Sequence, residues 1–473
     1  MPASPLYRPD PRVSELGGEF ADPVAAAAFP ETILRFRNDR AARTVGLDTL
    51  TDAEWIAHFG RFEPLPGNLP TPLAMRYHGH QFRVYNPDLG DGRGFTFAQL
   101  RETGTGRLMD LGTKGTGQTP WSRQGDGRLT LKGGVREALA TAMLEALGVP
   151  TSRTLSLVET GEALMRNDEP SPTRGAAMVR LSHSHIRFGS FQRHAYLQAP
   201  QRITRLTDHV IELYYPELAD EADRPGALLR AVTAKAAALA AAWMAAGFVH
   251  GVLNTDNMNI TGESFDYGPY RFLPYNDPNF TAAYFDSTGL YAFGRQPETV
   301  FWNLQQLAAC LALVGDQDAL IAALNTFAGE YHRALTAAVL RRLGVRSRSE
   351  AEDVELAKAT FQAFAGGGTA LRWEPLFFDW FGNGEARALA GPRAGLYADE
   401  GFAELRRRLG SYEAERPERL ADPYFEGPEP QELIYEEIEA IWASIAEADD
   451  WSAFHAKLAA IETARKAYGL AAG

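Results

Sequence analysis

The chain is short of cysteine, of positive charge and of long apolar runs, and each shortage excludes a class of protein. Cys310 is the single cysteine among 473 residues, so no disulfide can form within the chain. A disulfide-stapled secreted scaffold is therefore excluded, and the apolar surroundings of Cys310 predict a core residue. The 47 basic residues are outnumbered by 60 acidic ones, which gives a net charge of −13. Such a charge disfavours nonspecific binding to nucleic acid or to anionic membranes.

The most apolar stretch of the chain, 235–249, is rich in alanine and too short to cross a bilayer. We interpret it as a buried helix. The first ten residues lack the apolar core of a signal peptide. Together with the cysteine count, these features predict a cytoplasmic protein that binds neither membranes nor nucleic acid.

The two halves of the chain differ in their hydrophobic patterns. Short apolar runs separated by glycines predict strands in the first half, and one clear helix interrupts them. The predicted strands are 95–100, 129–131, 155–159 and 176–181, and the helix is 134–147. After residue 188 the pattern is helical, with predicted helices at 205–215, 225–247, 297–313, 317–343, 402–409 and 431–468. The pattern predicts an α+β fold with two lobes, 1–187 and 188–473, and a ligand cleft between them.

Two glycine-rich stretches in the first half are candidates for phosphate contact. The first is 89–94, where Gly90 and Gly92 alternate with larger residues and Arg93 follows. Because glycine has no Cβ, its backbone N–H groups can approach phosphate closely, although a plain turn has the same composition. The second stretch, 112–128, carries a lysine that could reach the same phosphates.

That lysine, Lys114, precedes Glu137 on the predicted helix 134–147. In protein kinases a strand lysine is held by a helix glutamate while it contacts phosphate. The alternatives are a solvated lysine and a surface helix pair. Further along, Arg180 and Arg187 could clamp distal phosphates bidentately or lie at a solvent-facing strand end. We interpret His183 and His185, which lie between them, as structural polar residues.

The most specific cluster combines a histidine-led loop with a later Asp-Tyr-Gly. The loop reads His250-Gly251-Val252-Leu253-Asn254-Thr255-Asp256-Asn257, and Asp266-Tyr267-Gly268 follows. Kinases use H-x-D-x-x-x-x-N and D-F-G, in which the asparagine and the second aspartate hold magnesium and the first aspartate accepts the substrate proton. Here Val252 occupies the position of that first aspartate. The ATP and metal ligands are thus retained without the kinase base, and Asp256 is the remaining carboxylate that could replace it.

These stretches resemble the selenoprotein O family of pseudokinase-fold protein adenylyltransferases. The resemblance is carried by Tyr77-His78-Gly79-His80-Gln81-Phe82, the 90–94 run, 114–128, His185-Ile186-Arg187-Phe188-Gly189, 250–258, Asp266-Tyr267-Gly268-Pro269 and the segment from Gln296-Pro297 to Trp302-Asn303-Leu304-Gln305. It covers roughly residues 5–310 and weakens beyond them. Many members carry a redox-active cysteine or selenocysteine at the extreme C-terminus, whereas this chain ends Tyr468-Gly469-Leu470-Ala471-Ala472-Gly473. The resemblance therefore gives no support for regulation by a terminal disulfide in this sequence, and the question stays open.

The resemblance implies a bilobal, kinase-like fold that binds ATP in a flipped orientation and transfers AMP to Ser, Thr or Tyr of proteins, self-modification included. It implies that Asp256 is the general base and that Asn257 and Asp266 hold Mg²⁺ or Mn²⁺. It places Lys114, Arg180 and Arg187 on the phosphates, with Glu137 orienting Lys114. The remaining residues implied at the nucleotide site are Gly90, Gly92, Arg93, Asp126, Gly127 and Asp266.

Two other functions remain open at this point. Phosphoryl transfer to a protein or small molecule is suggested by the kinase-like motifs, but Val252 argues against it. A catalytically silent pseudokinase scaffold would also bind ATP, although it would not need to retain Asp256, Asn257 and Asp266 together.

Overall fold

The structure is a computed structural model that describes residues 4–470. Residues 1–3 and 471–473 lie outside the described part of the chain. The expectations about a signal peptide and about the last residues of the chain fall partly on them.

The described residues of the N-terminal half are dominated by an antiparallel sheet. The strands, in chain order, are Ala21–Pro23 (β1), Ile33–Arg37 (β2), Leu73–Met75 (β3), Gly79–Gln81 (β4), Val84–Asn86 (β5), Thr96–Arg101 (β6), Leu108–Lys114 (β7), Leu129–Thr130 (β8), Arg153–Leu164 (β9), Thr173–Ser182 (β10), Phe248–Val249 (β11) and Arg271–Phe272 (β12). The main sheet has the order β1-β3-β6-β7-β10-β9-β2, and β8 pairs with β10. The pairs β4–β5 and β11–β12 form separate two-stranded ribbons.

The centre of the sheet places three functional candidates close together. Strands β7 and β10 are antiparallel neighbours, with Met178 opposite Lys114 and Arg180 opposite Gly112. Helix Leu131–Ala146 (α3) follows β8 directly. Its N-cap residue is Thr130, whose side chain accepts a hydrogen bond from Gly133 N. This helix packs on β9 and β10 and buries Glu137 completely. The four predicted strands and the predicted helix 134–147 are confirmed to within a few residues at each end.

Helices occur along the whole described chain and dominate it after residue 187. The helices, in chain order, are Asp39–Arg43 (α1), Asp52–Phe59 (α2), α3, Phe188–Tyr196 (α4), Pro200–Tyr214 (α5), Arg224–Ala245 (α6), Gln296–Leu311 (α7), Gln317–Asn325 (α8), Phe327–Leu343 (α9), Glu350–Gly367 (α10), Trp373–Trp380 (α11), Glu385–Ala390 (α12), Ala394–Ala398 (α13), Ala403–Leu409 (α14), Tyr435–Ala448 (α15) and Ser452–Tyr468 (α16). The α+β class is confirmed.

Two predicted helices were too long. The predicted helix 317–343 is two helices, α8 and α9, which meet at Thr326, whose hydroxyl donates to Ala323 O at 2.8 Å. The predicted helix 431–468 is also two, because Asp449 adopts φ 51° at the end of α15. The Asp449 carboxylate accepts hydrogen bonds from Arg174 and Arg35 on the sheet, which holds the chain in this left-handed turn.

The predicted buried helix lies within α6. By length and composition α6 could cross a membrane, but 67% of its most apolar window is buried inside the structure. It contributes Leu228, Val232 and Trp243 to the largest hydrophobic core, which also contains residues of α3, α5 and α7. Cys310 on α7 belongs to the same core with 4% of its surface exposed, so its prediction as a core residue is confirmed.

Candidate nucleotide-binding and catalytic site

One pocket of about 460 Å³ collects almost all of the residues singled out in the sequence. It is bordered by the glycine run after β5, the end of β7, the loop before β8, β10 and the 252–266 region. The predicted residues that line it are Gly90, Gly92, Arg93, Lys114, Asp126, Gly127, Arg180, Arg187, Asp256, Asn257 and Asp266. Glu137 lies behind them, in contact with Lys114.

Lys114 and Glu137 form a buried ion pair between strand β7 and helix α3. Lys114 Nζ lies 2.7 Å from Glu137 Oε2 and also 2.7 Å from Asp266 Oδ1. The side chains of Lys114 and Glu137 are 4% and 0% exposed, whereas that of Asp266 is 22% exposed. The lysine is therefore fixed from behind by Glu137 and directed towards the pocket, as the strand–helix spacing predicted.

Asp266 is the carboxylate around which the basic groups assemble. Its backbone has φ 64°, a left-handed conformation that is uncommon outside glycine, although aspartate adopts it more readily than most residues. Arg180 Nη1 lies 3.4 Å from its Oδ1 and 3.3 Å from Glu137 Oε1. Burial opposes ionisation of Asp266, but Lys114, Arg180 and other arginines outweigh it and hold its pKa well below the usual value. Asp266 is thus a permanent anion at neutral pH.

Arg187 links the glycine run to the 250–257 loop. It is the N-cap residue of α4. Its Nη1 donates to the carbonyl of Asp256 at 2.8 Å, and its Nη2 lies 3.3 Å from Asp91 Oδ1. The guanidinium also lies over the ring of Tyr77 at 4.6 Å. Because it is buried and held on both sides, Arg187 has little freedom to leave the pocket.

Asp256 has the properties expected of a proton acceptor. It lies in a one-turn 3₁₀ helix, Thr255–Asn257, and its buried Oδ1 has no hydrogen-bond partner among residues 4–470. Burial raises the pKa of Asp256 to about 6, and Arg187 opposes the rise. General bases are most effective when their pKa lies near the working pH.

Asn257 and Asp266 supply one amide and one carboxylate at the same pocket. Asn257 Nδ2 donates to the Val252 carbonyl at 3.0 Å, and within residues 4–470 its Oδ1 makes no hydrogen bond. No group of three or more His, Cys, Asp or Glu side chains suited to a metal occurs in that part of the chain. An oxygen pair of this kind fits Mg²⁺ or Mn²⁺, which commonly take one or two protein ligands and complete their shell with phosphate and water.

The glycine run owes its composition to close packing. A Cβ on Gly90 would lie 2.3 Å from Trp121 Cγ, and one on Gly92 would lie 2.8 Å from the Trp121 carbonyl. Gly127, with φ 69°, would meet the Gly117 carbonyl at 2.2 Å. The glycines let the 121–128 loop close over the run, so both stretches border one pocket. The sequence argument, which considered only backbone approach to phosphate, did not foresee this packing.

Positive charge is concentrated in this pocket. Seven basic side chains and four carboxylates line it, whereas the whole chain carries a net charge of −13. A pocket with an excess of cations in an acidic protein is suited to a polyphosphate.

Sequence reasoning missed several residues that line the pocket. Asp91 lies between two glycines that were noticed, and its position beside Arg93 was a usable signal. Arg166 reaches the pocket from the loop between β9 and β10 and pairs with Asp126 at 2.7 Å. Tyr77 and Gln81 also line it. For Arg166 no local pattern points to the site, because its placement depends on the pairing of distant strands.

The two histidines near Arg180 do not line the pocket. The ring of His185 lies 3.4 Å from Asp110, and Glu263 accepts from His183 N at 2.8 Å. The fold thus brings a carboxylate to each histidine, to the ring of His185 and to the backbone N–H of His183. Burial lowers the pKa of His183 to about 4, which keeps it neutral.

Comparison with known proteins agrees with this geometry. Residues 7–377 match the family described as protein adenylyltransferase SelO. The chain belongs to this family.

Relatives at high identity carry a consistent name. A protein nucleotidyltransferase YdiU of Gloeobacter violaceus is 46% identical over 480 residues, covering 99% of this chain and 97% of the relative. One from a Synechocystis species is 53% identical over 343 residues, covering 72% and 71%. One from Vibrio cholerae is 38% identical over 341 residues, covering 72% and 68%. The predicted SelO resemblance is confirmed, and the chain is a protein nucleotidyltransferase of that family.

Proposed function

We propose that this SelO-family enzyme transfers AMP from ATP to Ser, Thr or Tyr hydroxyls of proteins and releases pyrophosphate. One observation carries the choice of reaction. Val252 lines the pocket where a kinase has its catalytic aspartate, while Asp256 offers a buried carboxylate oxygen without a partner. The candidate base is thus at position 256 of the loop rather than at position 252. This difference favours a nucleotide bound in the reverse orientation, with its α-phosphate near Asp256.

The proposal includes a kinase-like arrangement with lobes 1–187 and 188–473. Its support is the ion pair of Lys114 on a strand with Glu137 on a helix, together with Asn257 and Asp266 at positions that follow the kinase motifs. Both the fixed lysine and the Asp-Tyr-Gly segment contribute to one pocket.

In the proposed reaction Asp256 accepts the proton of the acceptor hydroxyl. The hydroxyl oxygen forms a bond to the α-phosphorus as the bond from that phosphorus to the bridging oxygen breaks. Pyrophosphate leaves with the electron pair, and AMP remains on the acceptor. Asp256 lines the pocket, and its pKa of about 6 allows its carboxylate to take up a proton near neutral pH.

The basic residues hold the phosphates in line for this displacement. Lys114, Arg180 and Arg187 are fixed by Glu137, Asp266 and Asp91 at 2.7–3.4 Å, so they need little reorganisation as charge develops. Asn257 and Asp266 would hold Mg²⁺ or Mn²⁺. When bound, the metal ion neutralises phosphate charge.

Transfer of label from ATP tests the reaction. Purified protein is incubated with ATP labelled at either the α- or the γ-phosphate, with Mg²⁺ or Mn²⁺, alone and with a generic acceptor protein. We expect protein-bound label from α-labelled ATP only. Label from the γ-position would establish phosphoryl transfer instead. Absence of both labels, with ATP binding detected by calorimetry, would favour a silent scaffold.

The matched variant is Asp256→Asn, which preserves the size of the side chain. We expect it to bind ATP normally and to lose transfer by about 10²–10⁴-fold, the usual contribution of a general base. Normal turnover by Asp256→Asn would refute the assignment of the base.

A further inference from the structure

The β4–β5 hairpin lies along the segment that carries Asp256. His80 N donates to Thr255 Oγ1 at 2.7 Å, and Phe82 N donates to Asn254 Oδ1 at 3.1 Å. Gly79, the residue before His80, faces Asp256, the residue after Thr255. A Cβ on Gly79 would lie 2.9 Å from Asp256 Oδ1. Three successive loop residues, 254–256, are thus contacted in order by the outer edge of one strand and its turn.

The turn of this hairpin has an unfavourable backbone for its residues. β4 and β5 pair with Gln81 opposite Val84, which leaves a two-residue turn of Phe82 and Arg83. Their φ angles are 50° and 64°. Two-residue turns with positive φ at both positions favour Asn and Gly, so a Phe-Arg turn needs outside support. Strain of this kind is concentrated at functional sites.

Tyr291 supplies that support. Its hydroxyl donates to Asn254 Oδ1 at 2.6 Å and accepts from Phe82 N at 3.1 Å. Its ring packs on Phe82 at 4.8 Å between centroids, and only 2% of its surface is exposed. One phenol oxygen therefore joins the strained turn to the loop that carries Asp256.

The loop is also held from its other side. Thr255 Oγ1 donates to Gln192 Oε1 on α4 at 2.6 Å, and Gln192 Nε2 lies 2.7 Å from His80 Nδ1. Asp256 itself contributes no side-chain hydrogen bond through Oδ1. Its neighbours, rather than its own carboxylate, fix the loop and leave that oxygen free.

We propose that the hairpin 79–86 and Tyr291 form a clasp that positions the Asp256 carboxylate for transfer. The proposal rests on the proposed function, since it takes Asp256 as the base. Tyr291, Asn254 and Gly79 are positioning residues that act through Asp256. Removing a clasp contact displaces the carboxylate without removing it, so kcat falls while binding of ATP and of the acceptor is unchanged.

The first test is Tyr291→Phe, which deletes one oxygen and keeps the ring. We expect kcat for AMP transfer to fall by about 3–10-fold, the value of a lost hydrogen bond, with KM for acceptor and ATP affinity unchanged. Tyr284→Phe is the control, since Tyr284 lies in the same segment with 82% of its surface exposed. A raised acceptor KM with normal kcat would show that the hairpin holds the acceptor, which would overturn the positioning role.

A double-mutant cycle separates positioning from a general structural defect. Tyr291→Phe in the Asp256→Asn background should change the residual rate by less than about 2-fold, because the group it positions is absent. An equal loss in both backgrounds would overturn the proposal.

A second substitution tests the clasp at the carboxylate. Gly79→Ala places a methyl against Asp256 Oδ1, and we expect kcat to fall by about 10²-fold at unchanged ATP affinity. Gly18→Ala is the control, since no atom lies within 4 Å of a Cβ there. Wild-type kcat for Gly79→Ala would contradict the proposal even if Tyr291→Phe failed to fold.

Hydrogen exchange gives a readout that does not depend on activity. Backbone amides of 254–258 should exchange faster in Tyr291→Phe than in the wild type, and those of α3 should not change. Unchanged exchange in 254–258 would refute the clasp. Failure of the proposed function is instead read from the wild type alone, as an absence of α-label on protein.

Discussion

Two buried ion pairs, one in each half of the molecule, show which feature separates a site from a core. Lys114–Glu137 and Arg342–Glu374 both have an N–O distance of 2.7 Å and almost no exposed side-chain surface. Lys114 borders the pocket and shares Asp266 with Arg180. Arg342 instead lies over the ring of Phe377 at 4.4 Å, within the C-terminal core.

The two ion pairs differ in what surrounds their polar atoms. In the described part of the chain, three buried atoms of the second pair lack hydrogen-bond partners: Arg342 Nε, Arg342 Nη1 and Glu374 Oε2. Burial raises the pKa of Glu374 although Arg342 opposes the rise. A buried charge pair alone is weak evidence for function. The Lys114 pair becomes informative because its charges border an open cavity with further basic groups.

The largest expected effect is at Asp266, the carboxylate that only the first pair shares. Asp266→Ala should lower AMP transfer by about 10³-fold or more, because it removes the proposed metal ligand and releases Lys114 and Arg180. The metal-dependent part of ATP affinity should disappear in calorimetry with and without Mg²⁺. The exposed Asp220→Ala is the control. Metal-dependent ATP binding by Asp266→Ala would remove this residue from the site.

The second pair should affect stability alone. Arg342→Met leaves Glu374 buried and uncompensated, and we expect a loss of about 3–5 kcal/mol in the free energy of unfolding. The double variant Arg342→Met/Glu374→Leu should recover most of that loss in chemical denaturation. Transfer per folded molecule should stay at the wild-type level. A fall in kcat for the folded Arg342→Met protein would contradict a purely structural role for this pair.

Lys114→Met should have the opposite effect to Arg342→Met, with a large loss of rate and a smaller loss of stability. We expect kcat/KM to fall by about 10²-fold, as for loss of one phosphate donor. The stability loss should be smaller than for Arg342→Met, since Arg180 remains within 3.4 Å of both Glu137 and Asp266. Lys132→Met is the matched control, because Lys132 forms a partly exposed pair with Glu439 at 2.7 Å. Unchanged kinetics in Lys114→Met would exclude the lysine from the site.

The smallest effect is expected at Cys310, which lies outside both pairs. Burial raises the pKa of its thiol to about 12, so the reactive thiolate is scarce. Cys310→Ala should change stability by on the order of 1 kcal/mol and leave transfer unchanged. Treatment of the native protein with a thiol-alkylating reagent should likewise leave the rate unchanged. Rapid inactivation would show that the residue is accessible.

The sequence identifies the residues of the first pair because a local motif accompanies each. Lys114 lies in a glycine-rich stretch, Glu137 lies on a regular helix, and Asn257 and Asp266 lie in Asn- and Asp-rich loops, all in kinase-like order. Helix α3 was predicted because its hydrophobic periodicity is clear, whereas strand β7, which is buried at every position, was not.

The features of the site and of the fold that the sequence did not predict depend on contacts between distant parts of the chain. Arg166 reaches Asp126, and Asp449 ends α15, through ion pairs that the folded sheet creates. Helix α10 was missed because its weak apolar periodicity gives little signal until it packs against α9 and α14. The role of Tyr291 rests on a hairpin turn whose residues, Phe82 and Arg83, would not be predicted to form one.

AMP transfer is tested most directly by intact-mass spectrometry of the protein and an acceptor after incubation with ATP and Mg²⁺ or Mn²⁺. We expect an added mass of one AMP, greatly reduced in Asp256→Asn and absent in Asp266→Ala. An added phosphate mass, or an AMP adduct that persists at the wild-type rate in Asp256→Asn, would contradict this expectation.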